Sequence, residues 1–266
     1  MASSGIKSHT SPNNIWRITT RKLPILKAEP IEALNKDVGI PIPEMIFGDN
    51  FAQITHIPTG WTLNFNVRDA LDRVSKTEEG MLQVAVAEEW KKERSHQEEV
   101  KQVVKPFDWS YTTDYKGTTV GKDGEEKEGW RKSSGKEDPI RLDLLSREDP
   151  ILFFDNVDLM EDELADNGIA LLSLKMRMMP DRLLLLQRYF LRLDGVIVRI
   201  RDTRVYIEHD SNKVIRQYTA KEEKYEVLAE ELKRRRENVA ESFRDVNVLS
   251  ALCKTVEETT DVFQIS

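Results

Sequence analysis

Residues 171–204, LLSLKMRMMPDRLLLLQRYFLRLDGVIVRIRDTR, decide the fold of this chain. Apolar and polar residues alternate over 171–179, which is the period of a β-strand with one buried face. Pro180 ends that run, and Asp194-Gly195 separates two further apolar runs in the manner of a type I′ hairpin turn. The stretch therefore predicts an antiparallel meander.

The same pattern extends in both directions from this meander. Asp202-Thr203 predicts a second turn that leads into another strand, so the meander would contain three or four strands. Upstream, residues 51–57 and 61–67 also alternate, and after Thr219 the apolar spacing changes to that of a helix. We therefore predict one α+β domain with an antiparallel β core, meander-like or sandwich-like, and peripheral helices.

The ends and one internal segment have a different composition. Residues 1–14 are small and polar without the apolar region of a secretory signal, and they predict a flexible N-terminal tail. Residues 118–138 are rich in Gly, Lys, Glu and Ser and predict a mobile charged loop. The expected organisation is thus an α+β domain over 15–219 and a helical C-terminal extension over 220–266.

The composition excludes several classes of function. The 266 residues carry a formal net charge of −7, which argues against general binding to nucleic acid, and no stretch is apolar enough to span a membrane. Cys253 is the single cysteine, so an intrachain disulfide or a thiolate zinc site cannot form. A reducing compartment fits best, and we expect a cytoplasmic location with the nucleus as the alternative.

The charge is segregated along the chain. Residues 155–166 contain six acidic residues and no basic one, whereas residues 173–204 contain eight basic and three acidic residues. One interpretation is that each segment is a solvated face, with Lys175, Arg177, Arg199 and Arg201 on the solvated side of the meander. The other is that the basic stretch receives an acidic peptide.

The sequence contains no recognisable catalytic constellation. The four histidines are scattered, and none has the spacing of a helical zinc site. Nucleophile-elbow, phosphate-loop and dinucleotide patterns are also absent from the sequence. We therefore expect a protein that is not an enzyme and that needs no metal and no cofactor.

Four ordered motifs resemble those of the TIPRL family, the TOR-signalling regulator-like proteins. They are PEMIFGDN at 43–50, GMLQVAVAEEW at 80–90, KPFDWSYTTDYKG at 105–117 and LRLDGVIVRIRDTR at 191–204. The resemblance covers roughly residues 15–219 and does not include 118–138 or the C-terminal tail. It implies a non-enzymatic regulator that binds the catalytic subunits of type 2A protein phosphatases and modulates them, by inhibition, in TOR signalling.

The resemblance also implies a partner site. A concave cleft would take the acidic, aromatic C-terminal tail of the phosphatase subunit, and the alpha-four class regulator would be a second partner. The family's partner-binding positions correspond to Asp69, Ile140, Ile200 and Asp202 of this sequence. For these residues, a core role for Ile200, a turn role for Asp202 and a capping role for Asp69 remain alternatives.

Two other functions remain open at this stage. The acidic segment 155–166 would let a general scaffold or chaperone recruit another signalling partner. An unrecognised hydrolase is the second alternative, although no cluster of histidines supports it.

Overall fold

The computed structural model describes residues 5–40, 42–74, 81–85 and 107–265. Motif residues 80, 86–90 and 105–106 lie outside these ranges. Within them, the protein is built from two antiparallel sheets, a separate two-stranded ribbon and a few short helices. The predicted α+β class with an antiparallel β core in one domain is therefore confirmed.

The smaller sheet has five strands in the order β1-β2-β4-β5-β8. All its pairings are antiparallel. Its strands are β1 Ile6–Thr10, β2 Trp16–Arg21, β4 Phe51–His56, β5 Thr62–Asn66 and β8 Thr118–Val120. Helix α1, Ala28–Val38, and helix α2, Val67–Asp72, lie in its connections, and β6 Met81–Ala85 pairs with β7 Phe107–Tyr111 in the ribbon.

The larger sheet has eight strands in the order β3-β10-β11-β12-β13-β14-β15-β9. Four of its strands form the predicted meander: β11 Gly168–Met178, β12 Arg182–Leu193, β13 Ile197–Glu208 and β14 Lys213–Lys224. The others are β3 Met45–Ile46, β9 Arg131–Ser133, β10 Phe153–Asp162 and β15 Lys254–Gln264. Its helices are α3 Leu142–Leu145, α4 Tyr225–Arg234, α5 Val239–Ser242 and α6 Val246–Leu252.

The core lies between the two sheets. Trp16, Leu63 and Phe65 of the smaller sheet and Leu185 and Tyr189 of the larger one belong to one buried cluster. Because side chains alternate along a strand, Leu183, Leu185, Tyr189, Leu191 and Leu193 of β12 face this core while their neighbours in the strand face away from it. We call these two sides of the larger sheet the inner face and the outer face.

The turns of the meander differ in detail from the sequence prediction. At the Asp194-Gly195 turn only Gly195 has a positive φ, 73°, so the turn is not type I′, which needs positive φ at both central residues. The predicted turn at Asp202-Thr203 is wrong. Both residues are buried and pair with Arg188 and Gln187 in the middle of β13, because strands on both sides of β13 continue past them.

Two segments that were expected to be a tail and a loop contain strands. Residues 6–10 of the expected N-terminal tail form β1, which pairs with β2. The expected loop 118–138 contains the short strands β8 and β9, each of which lies at one edge of a sheet, and Trp130 packs edge-to-face with Phe263. Its mobility stays a prediction.

The expected helical extension is correct only in part. Helices α4, α5 and α6 lie within it, but β14 continues to Lys224 before the first of them begins. Residues 254–264 form β15, which adds to the sheet beside β14, since threonine and valine favour extended backbone and the sheet edge is available. Among the described residues, no helix combines the length and apolarity needed to cross a bilayer.

Candidate functional site

The outer face of the larger sheet has three zones along its strands. At one end Phe190, Val198 and Ile200 are buried beneath helices α4 to α6. At the other end Leu184 and Tyr206 are covered by the segment that contains α3. Between these two covers the outer face carries mainly charged side chains, and this middle zone is the candidate site.

Arg188 and Asp202 form the centre of the middle zone. They are directly opposed on β12 and β13, and the guanidinium donates two hydrogen bonds of 2.7 Å to the carboxylate. Arg204 adds a third bond to Asp202 at 3.0 Å. Burial alone would lower the pKa of Arg188, but its hydrogen bonds to Asp202 and the negative charge there raise the pKa above the ordinary value.

An open cavity of about 670 Å³ lies over this zone, and we call it the outer-face groove. Its floor is formed by β11 and β12, and its wall by residues 241 and 244–247 of α5, α6 and their connection. The floor residues are Leu171, Ser173, Lys175, Leu186, Arg188 and Phe190. Among the described residues, neither Lys175 of the floor nor Arg244 of the wall has an ion-pair partner.

The wall of the groove is fixed to the floor by specific bonds. Arg188 donates a hydrogen bond to the Asn247 side chain at 3.0 Å, and Arg192 donates one to the Phe243 carbonyl at 2.9 Å. The Asp245 side chain accepts from the backbone of Asn247 and so caps α6 at its start. Arg188 therefore joins the buried Asp202 to the groove wall.

The opposite cover of the outer face depends on Arg182, which is almost completely buried. Its guanidinium donates to the Leu144 carbonyl, to Asp181 and, at 2.7 Å, to Asp149. These bonds hold residues 140–149 across the sheet, so that Ile140 and Leu145 pack beside Tyr206. Ile140 thus lies on the outer face, at the end away from the helices.

Of the four predicted site residues, the structure brings Ile200 and Asp202 together on the outer face. Both side chains are buried, with exposures of 1% and 3%. Ile200 packs under the helices and Asp202 holds Arg188, so neither side chain is presented directly to the groove. Any role they have in partner binding, which stays a prediction, would act through the helical cover and through Arg188.

Asp69 is not part of this arrangement. It lies in α2, where its carboxylate accepts from Asn66 at 2.9 Å and from Thr118 at 2.5 Å. The Tyr115 hydroxyl also approaches it, at 3.4 Å. Because Tyr115 belongs to the segment that packs on the inner face, Asp69 lies on the other side of the larger sheet from Asp202.

The prediction of the solvated basic positions is correct for one residue pair and wrong for the other. Lys175 is exposed and Arg177 partly exposed on the outer face. Arg199 and Arg201 instead point to the inner face and are largely buried, because residues 112–115 cover them there. Arg199 donates to Thr112 at 3.1 Å, and Arg201 contacts Asp114.

Arg188 and the groove wall are candidate functional residues that were not predicted from the sequence. Arg188 occupies a polar position of the alternating β12 pattern, so strand phase could have assigned it to the same face as Lys175. No local signal connects Arg244 and Asn247 to that face, since they come from a distant helical segment. Over the described ranges no group of three His, Cys, Asp or Glu side chains is arranged to hold a metal ion.

The chain is similar to proteins from animals, fungi and other eukaryotes. It is 44% identical over 214 residues to the human TIP41-like protein, covering 80% of this chain and 76% of the human one. It is 35% identical over 268 residues to "Type 2A phosphatase activator TIP41" of Saccharomyces cerevisiae, covering 94% of this chain and 73% of the yeast one. Residues 45–229 match the sequence profile of the TIP41-like family. The resemblance found from the motifs is thereby confirmed, and the chain belongs to the TIP41-like family.

Proposed function

We propose that this protein is a non-enzymatic regulator of type 2A protein phosphatases that binds their catalytic subunits. Two relatives carry the name type 2A phosphatase activator, those of Saccharomyces cerevisiae and Schizosaccharomyces pombe. The motif resemblance supports the same partner and adds a role in TOR signalling. Inhibition, as the resemblance implies, and activation, as the two fungal names state, are distinguished by assaying the phosphatase with increasing amounts of this protein.

The outer-face groove is the proposed binding site for the C-terminal tail of the catalytic subunit. The observation that carries this proposal is the basic, partly apolar floor: Lys175 and Arg188 lie beside the partly exposed side chains of Leu171 and Leu186. An acidic, aromatic segment ending in a carboxylate suits such a surface, because the cations bind carboxylates and the apolar side chains bury an aromatic ring. Lys175 and Arg244 would meet the ligand without first breaking an ion pair.

The test is calorimetry of this protein against a synthetic peptide of the phosphatase C-terminus at low and high salt. We expect affinity to fall with salt, and we expect Lys175→Glu combined with Arg244→Glu to weaken binding by at least about tenfold. The matched control is Lys132→Glu, a similar reversal of an exposed charge on β9. Unchanged affinity in the double variant would contradict the assignment of the groove.

The four predicted residues are tested differently because of their burial. Asp202→Asn keeps the shape but weakens the hold on Arg188, so we expect reduced peptide affinity with the fold retained. Ile200→Asp would place a carboxylate in an apolar cluster and so cannot separate binding from folding. Partner binding through Ile140 and Asp69, and the alpha-four class regulator as a second partner, stay predictions.

A further inference from the structure

The acidic segment 155–166 does not form one surface. Asp155 is buried on the inner face, where Lys22 binds it at 2.9 Å and Thr20 at 2.7 Å. Glu163 precedes the short 3₁₀ helix Leu164–Asp166 and Asp166 ends it, just before β11, and both side chains are exposed. Among the described residues, no cation pairs with either of them. The acidic end of this segment therefore carries two exposed carboxylates where β11 begins.

Glu163 and Asp166 line a second open cavity, of about 430 Å³. It shares four lining residues with the outer-face groove, which are Leu171, Phe190, Arg244 and Val246. The two cavities are therefore adjacent along β11 and β12, and we refer to them together as the continuous groove. It runs from Lys175 past Phe190 to the turn at Asp194.

The two ends of this continuous groove have opposite charge. At the Lys175 end, the floor carries Lys175 and Arg188, and the next outer-face row adds Arg177. At the other end Glu163, Asp166 and Asp194 line the groove with two cations: Arg192, which is already bound to Asp194 at 2.7 Å, and Arg244 of the wall, which lines both cavities. The wall is mixed, since Glu241 and Asp245 accompany Arg244. The difference in charge between the two ends thus comes mainly from the cations of the floor and from the acidic residues near Glu163 and Asp194.

Apolar side chains separate the charged ends. Leu171 and Phe190 are directly opposed on the floor, and Val246 lies at the same point of the wall. From Lys175 to Gly168 the floor is about 23 Å long at ~3.3 Å per residue, the length of an extended peptide of about seven residues. The groove therefore matches a short segment with opposite charges at its ends and a bulky apolar residue between them.

We propose that the groove recognises the charge order of an extended segment. In the bound segment, the acidic residues and the terminal carboxylate contact Lys175. A bulky apolar side chain of the segment packs on Leu171 and Phe190. A basic residue several positions earlier in the segment contacts Glu163 and Asp166. This deepens the proposed function and rests on it, because the occupant is again a protein C-terminus. Nucleic acid does not fit the acidic end, since phosphates would be repelled there.

Two synthetic peptides of identical composition test the charge order. The first has two lysines at its acetylated N-terminus, leucine and phenylalanine in the middle, and two aspartates before a free carboxyl-terminus. In the second, the lysines and aspartates are exchanged. By calorimetry at low salt we expect the wild-type protein to bind the first peptide at least about fivefold more tightly than the second.

Charge variants test which end of the groove binds the basic residue of the peptide. Glu163→Lys with Asp166→Asn should abolish the preference, and asparagine is chosen because Asp166 has a φ of 64°, which asparagine tolerates. The matched control is Glu125→Lys with Glu128→Lys, two exposed acidic positions outside the groove. Adding Lys175→Glu and Arg244→Glu to the first variant should invert the preference.

The outcomes separate the two levels of the proposal. Equal binding of both peptides by the wild-type protein, or a preference that survives Glu163→Lys with Asp166→Asn, would overturn the charge order alone. Binding of neither peptide, together with no binding of the phosphatase tail peptide, would overturn the proposed function and the charge order with it. Circular dichroism of each variant verifies that the fold is retained.

Discussion

Two pairs of arginines on opposite faces of the larger sheet have different environments. On the inner face Arg199 and Arg201 share the carboxylate of Glu222, at 2.8 and 2.7 Å, and are covered by residues 112–115. On the outer face the side chains of Arg177 and Arg204 reach solvent. All four residues belong to the same meander and to the same basic stretch of sequence.

The difference shows that a basic stretch is not by itself a binding surface. The inner-face cations Arg199 and Arg201 are paired with carboxylates of the protein itself, and they hold the 112–115 segment on the sheet. Outer-face cations exceed the carboxylates around them, so part of their charge is available to a ligand. We therefore expect stability to depend on the inner face and peptide affinity on the outer one.

The largest effect should follow Arg201→Met on the inner face. The Arg201 side chain is 10% exposed, and its removal leaves Asp114 and part of Glu222 without their cation. Because Asp114 is largely exposed and Glu222 keeps Arg199, we expect a loss of about 2 kcal/mol in the free energy of unfolding, measured with urea. Arg204→Met is the matched control on the outer face, where the side chain is 33% exposed and the loss should stay under about 1 kcal/mol. Similar losses in both variants would remove the contrast.

A smaller effect is expected for Tyr115→Phe. The Tyr115 hydroxyl bonds the Asn64 carbonyl at 2.9 Å and the Thr118 hydroxyl at 3.0 Å, which joins the inner-face segment to the smaller sheet. Losing these bonds should cost about 1–2 kcal/mol in thermal or urea unfolding. Tyr225→Phe, in helix α4, should change stability by less than about 0.5 kcal/mol. A neutral Tyr115→Phe would show that the hydroxyl does not contribute to this junction.

Lowering the pH should weaken the fold through a buried histidine. His209 donates from Nδ1 to the Pro180 carbonyl at 3.1 Å, while its buried Nε2 has no hydrogen-bond partner among the described residues. Burial lowers the pKa of His209 below its ordinary 6.5, so the unfolded state takes up a proton first as pH falls. This contribution to stability is present at neutral pH and is lost as pH falls below about 6.5.

The pH effect is measured by urea unfolding between pH 7.5 and 5.5. His209→Gln should reduce the pH dependence, while a smaller slope remains from His56, whose pKa burial also lowers. An identical slope in the variant and the wild type would exclude His209 as its source.

The smallest effect on stability should follow Lys175→Ala combined with Arg177→Ala. Neither side chain has an ion-pair partner among the described residues, so the free energy of unfolding should change by less than about 0.5 kcal/mol. The peptide affinity and its salt dependence should both fall. A stability loss comparable to that of Arg201→Met would show that Lys175 and Arg177 stabilise the fold and would contradict this prediction.

Much of the meander could be predicted because its alternation is long. Residues 171–193 carry enough apolar side chains at every second position to indicate two strands and their facing sides. Strand β15 could not be predicted in this way. Its first five residues are exposed, and its position depends on the edge of β14 rather than on a buried face of its own.

The candidate site was predicted only in part, and Asp202 shows why. The pair Asp202-Thr203 has the composition of a turn, yet both residues lie inside β13 because Arg188 neutralises the carboxylate and flanking strands continue the hydrogen bonding. The wall residues Arg244 and Asn247 are separated from Lys175 by about seventy positions of sequence. Their approach depends on how α4 to α6 pack on Phe190 and Ile200.

By itself the sequence determined the strand period, the position of the hairpin at Asp194-Gly195 and the order of acidic and basic segments. Those properties are local, because side-chain alternation and turn composition act over a few residues. Tertiary structure alone decided which arginines are enclosed, which carboxylates neutralise them and where the acidic and basic ends of the groove lie. Alternation defines two faces of a strand, but the segment that covers each face comes from elsewhere in the chain, and that packing determines which charges remain available to a partner.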